Sequence, residues 1–244
     1  MVESRQEVGK TKHNQRVDLY IIHGWTYTVE PWRNTLAMLR GNGISVAMLH
    51  VPGLTEPSKK VFTIDDYVKW ADKMIPDGAL ALGHSNGGRI LLNLCAKKPD
   101  KLKHLILLDA AGIYEPSARK RFVEKMAKIG KPLKKLPVVD KAFHRITGST
   151  DYSRAPENMK VTLANMIASD KDLDLTKVTT KTFILWGKKD TTTPPRQATT
   201  MYEKLPNAEL KFYAKWTHAP YISNPEELAR VLTTLVKRVQ GSGE

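Results

Sequence analysis

The stretch "LALGHSNGGR", residues 80–89, decides the reading of this chain. Ser85 stands between Gly83 and Gly87, with Gly88 next, after one apolar run and before another, "ILLNLC". Glycine loses more backbone freedom on folding than any other residue, so this cluster marks a turn that requires it. A strand running straight into a helix must turn sharply if a side chain is to project from the apex. Bulky neighbours would then collide with the strand and the helix. The pattern Gly-x-Ser-x-Gly here follows a predicted strand over 79–83 and opens a predicted helix over 86–98, the context in which such a turn presents a nucleophilic serine. Two other glycine-rich junctions are excluded by spelling. This turn spells neither Gly-x-Gly-x-x-Gly for a dinucleotide nor Gly-Lys-Ser/Thr for a nucleoside phosphate.

Outward from this turn, short apolar runs alternate with helix-length amphipathic segments. Residues 17–24, 44–50, 78–83, 105–109, 182–187 and 210–213 read as strands, apolar on both faces as buried parallel strands are. The last helix is signalled by Asn224 as N-cap and Pro225 at the first helical position. Leu228, Val231, Leu232, Leu235 and Val236 share one of its faces. The alternation predicts an α/β fold with one mostly parallel sheet flanked by helices. It breaks between 113 and 176, where no strand-like run occurs. Phe122, Met126, Ile129 and Leu133 form one helical stripe there, and Met159, Leu163, Met166 and Ile167 form another. This segment is expected to be a helical cap over the strand ends. The expected organisation is a polar tail over 1–16, a core over 17–112, the cap over 113–176, the rest of the core over 177–240, and a linker-like remnant over 241–244.

The chain has 244 residues, enough for one domain with a large core. Its single cysteine, Cys95, excludes an internal disulfide framework and fits a reducing, cytoplasmic compartment. The first sixteen residues are too polar for a signal peptide, and no run approaches a membrane helix in length. The net charge of +14 favours anionic partners. Half of it lies in residues 119–135, where eight Lys/Arg face one acid, Glu124. A basic amphipathic helix can lie on an anionic membrane, but Gly130 and Pro132 interrupt this one, so packing onto its own core is the favoured reading. Charge is the sole argument for nucleic acid, since no recognition motif accompanies it.

A serine hydroxyl needs a base to take its proton. Of the seven histidines, His13 lies in the tail, His23 and His50 end strands, His84 adjoins Ser85 on the turn, His104 precedes a strand and His144 lies in the insertion. His218 is the best base, in "KWTHAPYISNPEEL", after the last strand and before the last helix, where ligands bind on such sheets. The base needs a carboxylate to hold its tautomer. Asp190, just past the fifth strand run, is the candidate, with Asp109 at the tip of the fourth run as rival. The order Ser, Asp, His is the one expected on this fold. An oxyanion would be held by the N–H of Asn86, the residue after the serine, and by that of Trp25 in the first strand's loop. Trp25 also reads as core.

Together and in order, "HGW", "GHSNGG", "LILLDAAGI", "WGKKDTTTP" and "THAPYISNPEEL" resemble the α/β-hydrolase superfamily, in particular small bacterial serine hydrolases with a helical cap. The resemblance spans roughly 17–240. It implies a Ser85–His218–Asp190 triad, an oxyanion hole at Trp25 and Asn86, no metal and no cofactor. Departures occur at His50, where members often carry Asp, at Leu54, Thr55 and Glu56 after the Pro-Gly, and at Thr217, where glycine often precedes the base. Superfamily dehalogenases and epoxide hydrolases place an aspartate at the elbow, and Ser85 argues against both.

What remains is cleavage of a carboxylic ester, with thioester or carbon–carbon hydrolysis as related chemistries. The substrate would be a small acyl compound, an anionic one being drawn in by the basic cap. The acyl pocket would be lined by Met126, Met159, Leu163 and Met166. Two readings of other classes compete: a ligand-binding or single-turnover protein on the same shell, and a polyanion-binding interaction protein.

Overall fold

The computed structural model describes residues 17–114 and 155–241. Six strands, β1 (Leu19–Ile22), β2 (Val46–Leu49), β3 (Ala79–His84), β4 (Leu102–Leu108), β5 (Lys181–Gly187) and β6 (Ala208–Tyr213), form one sheet in the order β2-β1-β3-β4-β5-β6. Every pairing is parallel. The strands are joined by helices, of which the described ones are α1 (Arg33–Gly41), α2 (Ile64–Met74), α3 (Asn86–Lys97), α4 (Glu157–Ser169), α5 (Pro195–Lys204), the short α6 (Pro220–Ser223) and α7 (Pro225–Gly241).

The sheet is apolar on both sides because side chains alternate across it and both faces are covered. On one face Ile22, Ala81, Leu105, Leu107 and Ile184 belong to a buried apolar cluster that also takes in residues of α2, α3, α4 and α5. On the other, Ile21, Leu82, Ile106, Leu108 and Leu185 belong to a cluster that takes in residues of α1 and α7. As expected, α7 buries Leu228, Val231, Leu232 and Val236. The Asn224 carbonyl accepts the Leu228 N–H at 3.0 Å, as a residue at the N-cap position does. Its side chain instead accepts from the Ser223 hydroxyl at 2.9 Å.

Two strands begin two or more residues earlier than their apolar runs. β4 starts at Leu102, ahead of the exposed Lys103 and the half-buried His104, and its pairing with β3 shifts register at Ala79/Leu80. β6 starts at Ala208. It is an edge strand, and its Glu209 pairs with Lys181 and Arg238 instead of entering the core.

Much of the expected cap, with Phe122, Met126, Ile129, Leu133, His144 and the basic run over 119–135, lies outside the described residues, as do 1–16 and 242–244. Of the second predicted stripe, Met159, Leu163 and Met166 are buried on α4 and Ile167 is half-buried. α4 is fastened to the core through the 58–62 segment. The Phe62 N–H donates to Thr162 Oγ1 at 2.9 Å, and the Asn158 and Asn165 amides donate to the carbonyls of Ser58, Lys60 and Phe62.

Candidate active site

β3 runs into α3 through Ser85, which takes φ 50° and ψ −116°, a left-handed conformation a serine rarely adopts. The glycines explain how the chain tolerates it. A Cβ on Gly83 would meet the backbone of Gly88 at 2.6 Å, and one on Gly87 would collide with the carbonyl oxygen of Ile22 on β1. The turn is tight enough that strand, helix and neighbouring strand touch through backbone.

The structure brings Ser85, His218 and Asp190 together. The Ser85 hydroxyl lies 3.0 Å from His218 Nε2, and His218 Nδ1 lies 2.8 Å from Asp190 Oδ2. A carboxylate at Nδ1 selects the tautomer with the proton there, which leaves the Nε2 lone pair facing the serine. Burial by itself would raise the Asp190 carboxyl. The His218 ring, the Thr193 hydroxyl and the Thr192 N–H outweigh it and hold the group below its ordinary value. Its Oδ1 accepts the N–H groups of Thr192 and Thr193 at 2.7 and 3.0 Å, and its Oδ2 lies 2.6 Å from the Thr193 hydroxyl. The loop is shaped from below by the buried Trp186, whose indole N–H donates to the Thr193 carbonyl at 2.9 Å.

His218 is positioned from two sides. Trp216, fully buried, stacks on Tyr213 with ring centroids 3.7 Å apart and donates its indole N–H to Glu227 of α7 at 2.7 Å. From the elbow, His84 Nε2–H donates to the His218 carbonyl at 2.7 Å. That bond leaves His84 Nδ1 unprotonated, buried and without a partner among the described residues. Burial, with the adjacent His218, lowers His84 to about 3. His23 is likewise structural. Its Nδ1–H donates to the Gly24 carbonyl and its Nε2 accepts from the Thr55 hydroxyl, both at 2.8 Å. Burial lowers it to about 4. Thr55, one of the residues at which the chain departs from the superfamily pattern, thus ties the loop after β2 to the end of β1.

Asp109, the rival carboxylate, does not reach His218. It directly follows β4 with φ 44°, and its Oδ1 accepts the Gly187 N–H at 2.8 Å, joining the ends of β4 and β5. Burial, then the nearby Asp190, pushes its carboxyl well above the ordinary range. Asn86 contributes the first N–H of α3. Trp25 follows Gly24, where a Cβ would lie 3.1 Å from Ser85 Cβ. Neither amide takes a backbone partner among the described residues. The Trp25 side chain is also core, as expected.

The composition of α3 carries a signal that the motif reading missed. Arg89 is the one charged residue in the buried stretch Asn86–Cys95 of α3, where it pairs with Asp170. Thr193 had no signal of its own, because its role depends on the loop's conformation. A cavity of about 720 Å³ opens between Gly112–Tyr114, Asp170–Thr176 and α5, and none of Ser85, His218 or Asp190 lines it. Among the described residues no three His, Cys, Asp or Glu side chains converge as metal ligands would. None of the described helices is long and apolar enough to cross a membrane.

A parallel sheet with a strained serine at the strand–helix junction, a histidine after the last strand and a carboxylate after the strand before it defines a class. Residues 19–225 match the model of the family described as alpha/beta hydrolase fold, and the chain belongs to that family. Its relatives include the pimeloyl-[acyl-carrier protein] methyl ester esterase of Neisseria meningitidis serogroup C, 26% identical over 96% of this chain and 99% of that protein. The protein of that name in Nitrosomonas europaea is 21% identical over 89% of this chain and 95% of its own length. Among solved structures, a hydrolase from Oleispira antarctica superposes with a TM-score of 0.66 at 15% identity, covering 90% of each chain. A thermophilic esterase from Thermogutta terrifontis gives 0.64 at 18%, covering 91% of this chain and 89% of that one. With a serine at the elbow, the chain is a serine hydrolase.

Proposed function

We propose that this hydrolase cleaves carboxylic esters through an acyl-enzyme, with Ser85 as nucleophile, His218 as general base and acid, and Asp190 as the carboxylate that orients it. The observation that supports this most directly is the hydrogen-bonded relay from Ser85 through His218 to Asp190. Ser85 Oγ attacks the carbonyl carbon as His218 Nε2 takes its proton. The N–H groups of Trp25 and Asn86 receive the charge that develops on the carbonyl oxygen. Collapse breaks the ester C–O bond, and His218 returns its proton to the departing alkoxide. Water, deprotonated by the same nitrogen, then attacks the acyl-serine. The free acid leaves and Ser85 regains its proton. No cofactor takes part. In this reading residues 113–176 form the cap, and Met159, Leu163 and Met166 of α4 line the acyl side.

The names of the relatives choose the first substrate to assay, the methyl ester of a pimeloyl chain, free and carried on acyl-carrier protein. The charge of +14 favours an anionic substrate. The experiment is a fluorophosphonate reaction read by intact mass, with methyl ester hydrolysis followed in parallel, on wild type and Ser85→Ala. One adduct and turnover on the wild type, with neither on the variant, is the expected result. Folded wild type that takes no adduct, or a variant that turns over equally, overturns the proposal.

A further inference from the structure

Arg89 lies one helical turn after the elbow, on the same side of α3 as Asn86. Its guanidinium makes three contacts at once. Nε donates to Asp170 Oδ1 at 2.6 Å and Nη2 donates to Asp170 Oδ2 at 2.9 Å, a two-pronged pair. Nη1 donates to the side-chain carbonyl of Asn86. The Asn86 amide in turn lies 3.4 Å from the Met166 sulfur of α4. Both charged side chains are nearly sealed from water, with 7% and 5% exposed. A buried ion pair adds little stability over an apolar pair of the same volume, so its presence here calls for a reason beyond holding the helix down. Asp170 directly follows α4, and Asn86 directly follows Ser85. One guanidinium therefore locks the residue beside the nucleophile to the helix that covers it.

We infer that Arg89 is a positioning residue for the hydrolysis: through Asn86 Oδ1 it fixes the residue whose N–H receives the oxyanion, and through Asp170 it holds α4 over the same point. The inference rests on the ester-hydrolase reading above. Lysine cannot replace it, since a single ammonium cannot span both Asp170 oxygens and reach Asn86 as well.

The test measures kcat and KM on a methyl ester for wild type, Ser85→Ala, Arg89→Lys, the double variant Arg89→Met/Asp170→Leu, Asn86→Ala, and the triple variant combining the last two, each with a melting temperature. The double variant removes both charges and keeps apolar volume. Arg89→Lys keeps Asp170 paired and serves if the double variant does not fold. Asn86→Ala keeps the backbone N–H and removes only the anchor. The expected result is a fall in kcat of about tenfold in the lysine, double and Asn86→Ala variants, with KM within about twofold, and no further fall in the triple variant. A merely structural pair would lower the melting temperature and leave kcat alone. Folded Arg89→Lys or double variants with kcat within about twofold of wild type overturn the inference, as do losses that multiply in the triple variant. Absence of serine-dependent turnover in the wild type removes the hydrolase reading itself, and this inference with it.

Discussion

Acidification from pH 7.5 to 5.0 should destabilise this protein through two buried histidines. Burial is the main cause in each case; it holds His84 at about 3 and His23 at about 4. In the unfolded chain both return to about 6.5. A base whose folded pKa is lowered is bound neutral, so its contribution is fully present above the unfolded pKa and is lost as pH falls towards the folded one. At pH 5.0 the unfolded chain has protonated each ring and the folded one has protonated almost none. The loss is about 2 kcal/mol per histidine, or about 4 kcal/mol together. Because both folded values lie below 5, the figure depends mainly on the unfolded pKa. Set against the roughly 5–15 kcal/mol of a typical domain, it is large. The assay is urea unfolding at both pH values for wild type and His84→Gln. Glutamine can donate to the His218 carbonyl but does not titrate, so its loss should be smaller than that of wild type by about 2 kcal/mol. Every other titrating group is common to both proteins and cancels in the comparison. Equal losses in wild type and His84→Gln would refute the reasoning.

Other expectations follow from the same geometry. Asp190→Asn can offer an amide N–H to His218 Nδ1, which forces the ring's proton onto Nε2 and blocks the base. The expected fall in kcat is about 10⁴-fold with KM little changed, and steady-state kinetics showing less than a tenfold fall would exclude Asp190 from the role. Gly87→Ala sets a methyl group against the Ile22 carbonyl, whereas a Cβ on Gly41 at the end of α1 meets nothing within 4 Å. The first should cost about 3 kcal/mol or more, or prevent folding, and the second should be neutral or gain about 0.5–1 kcal/mol, both read by thermal or urea unfolding.

The core architecture was legible in the sequence because its causes are local. Buried parallel strands must be apolar on both faces, so "LALG", "LILL" and "TFILWG" mark themselves. The elbow likewise carries its glycines within two residues on either side of Ser85. Where causes are not local, the reading fell short. The start of β4 at Leu102 and of β6 at Ala208 was hidden by Lys103 and Glu209, polar residues that sit at a sheet end and on a sheet edge. The buried pair of Arg89 and Asp170 joins residues 81 apart, and the bond from Thr55 to His23 joins residues 32 apart. Spacing along the chain carries no information about such contacts.

The choice between the two carboxylates shows the division most clearly. Asp109 and Asp190 both follow buried strands, β4 and β5, which are neighbours in the sheet. Residue type and chain order admit both, and the sequence favours Asp190 through the superfamily resemblance without showing where either side chain points. They differ in which way the chain turns on leaving the sheet. Asp109 leaves with φ 44° and folds its carboxyl back onto the Gly187 N–H. Asp190 lies three residues beyond Gly187, in a loop that its own oxygens cap and that Trp186 anchors, and so it meets His218 at 2.8 Å. The sequence by itself determined the sheet, the elbow and the presence of a serine, a histidine and two carboxylates at strand ends, because burial and turn sterics act between near neighbours. The hydrogen bonds that aim Asp190 at the histidine and turn Asp109 onto Gly187, and the arginine behind the elbow, only the tertiary structure decided, because those contacts are set by the packing of elements distant along the chain.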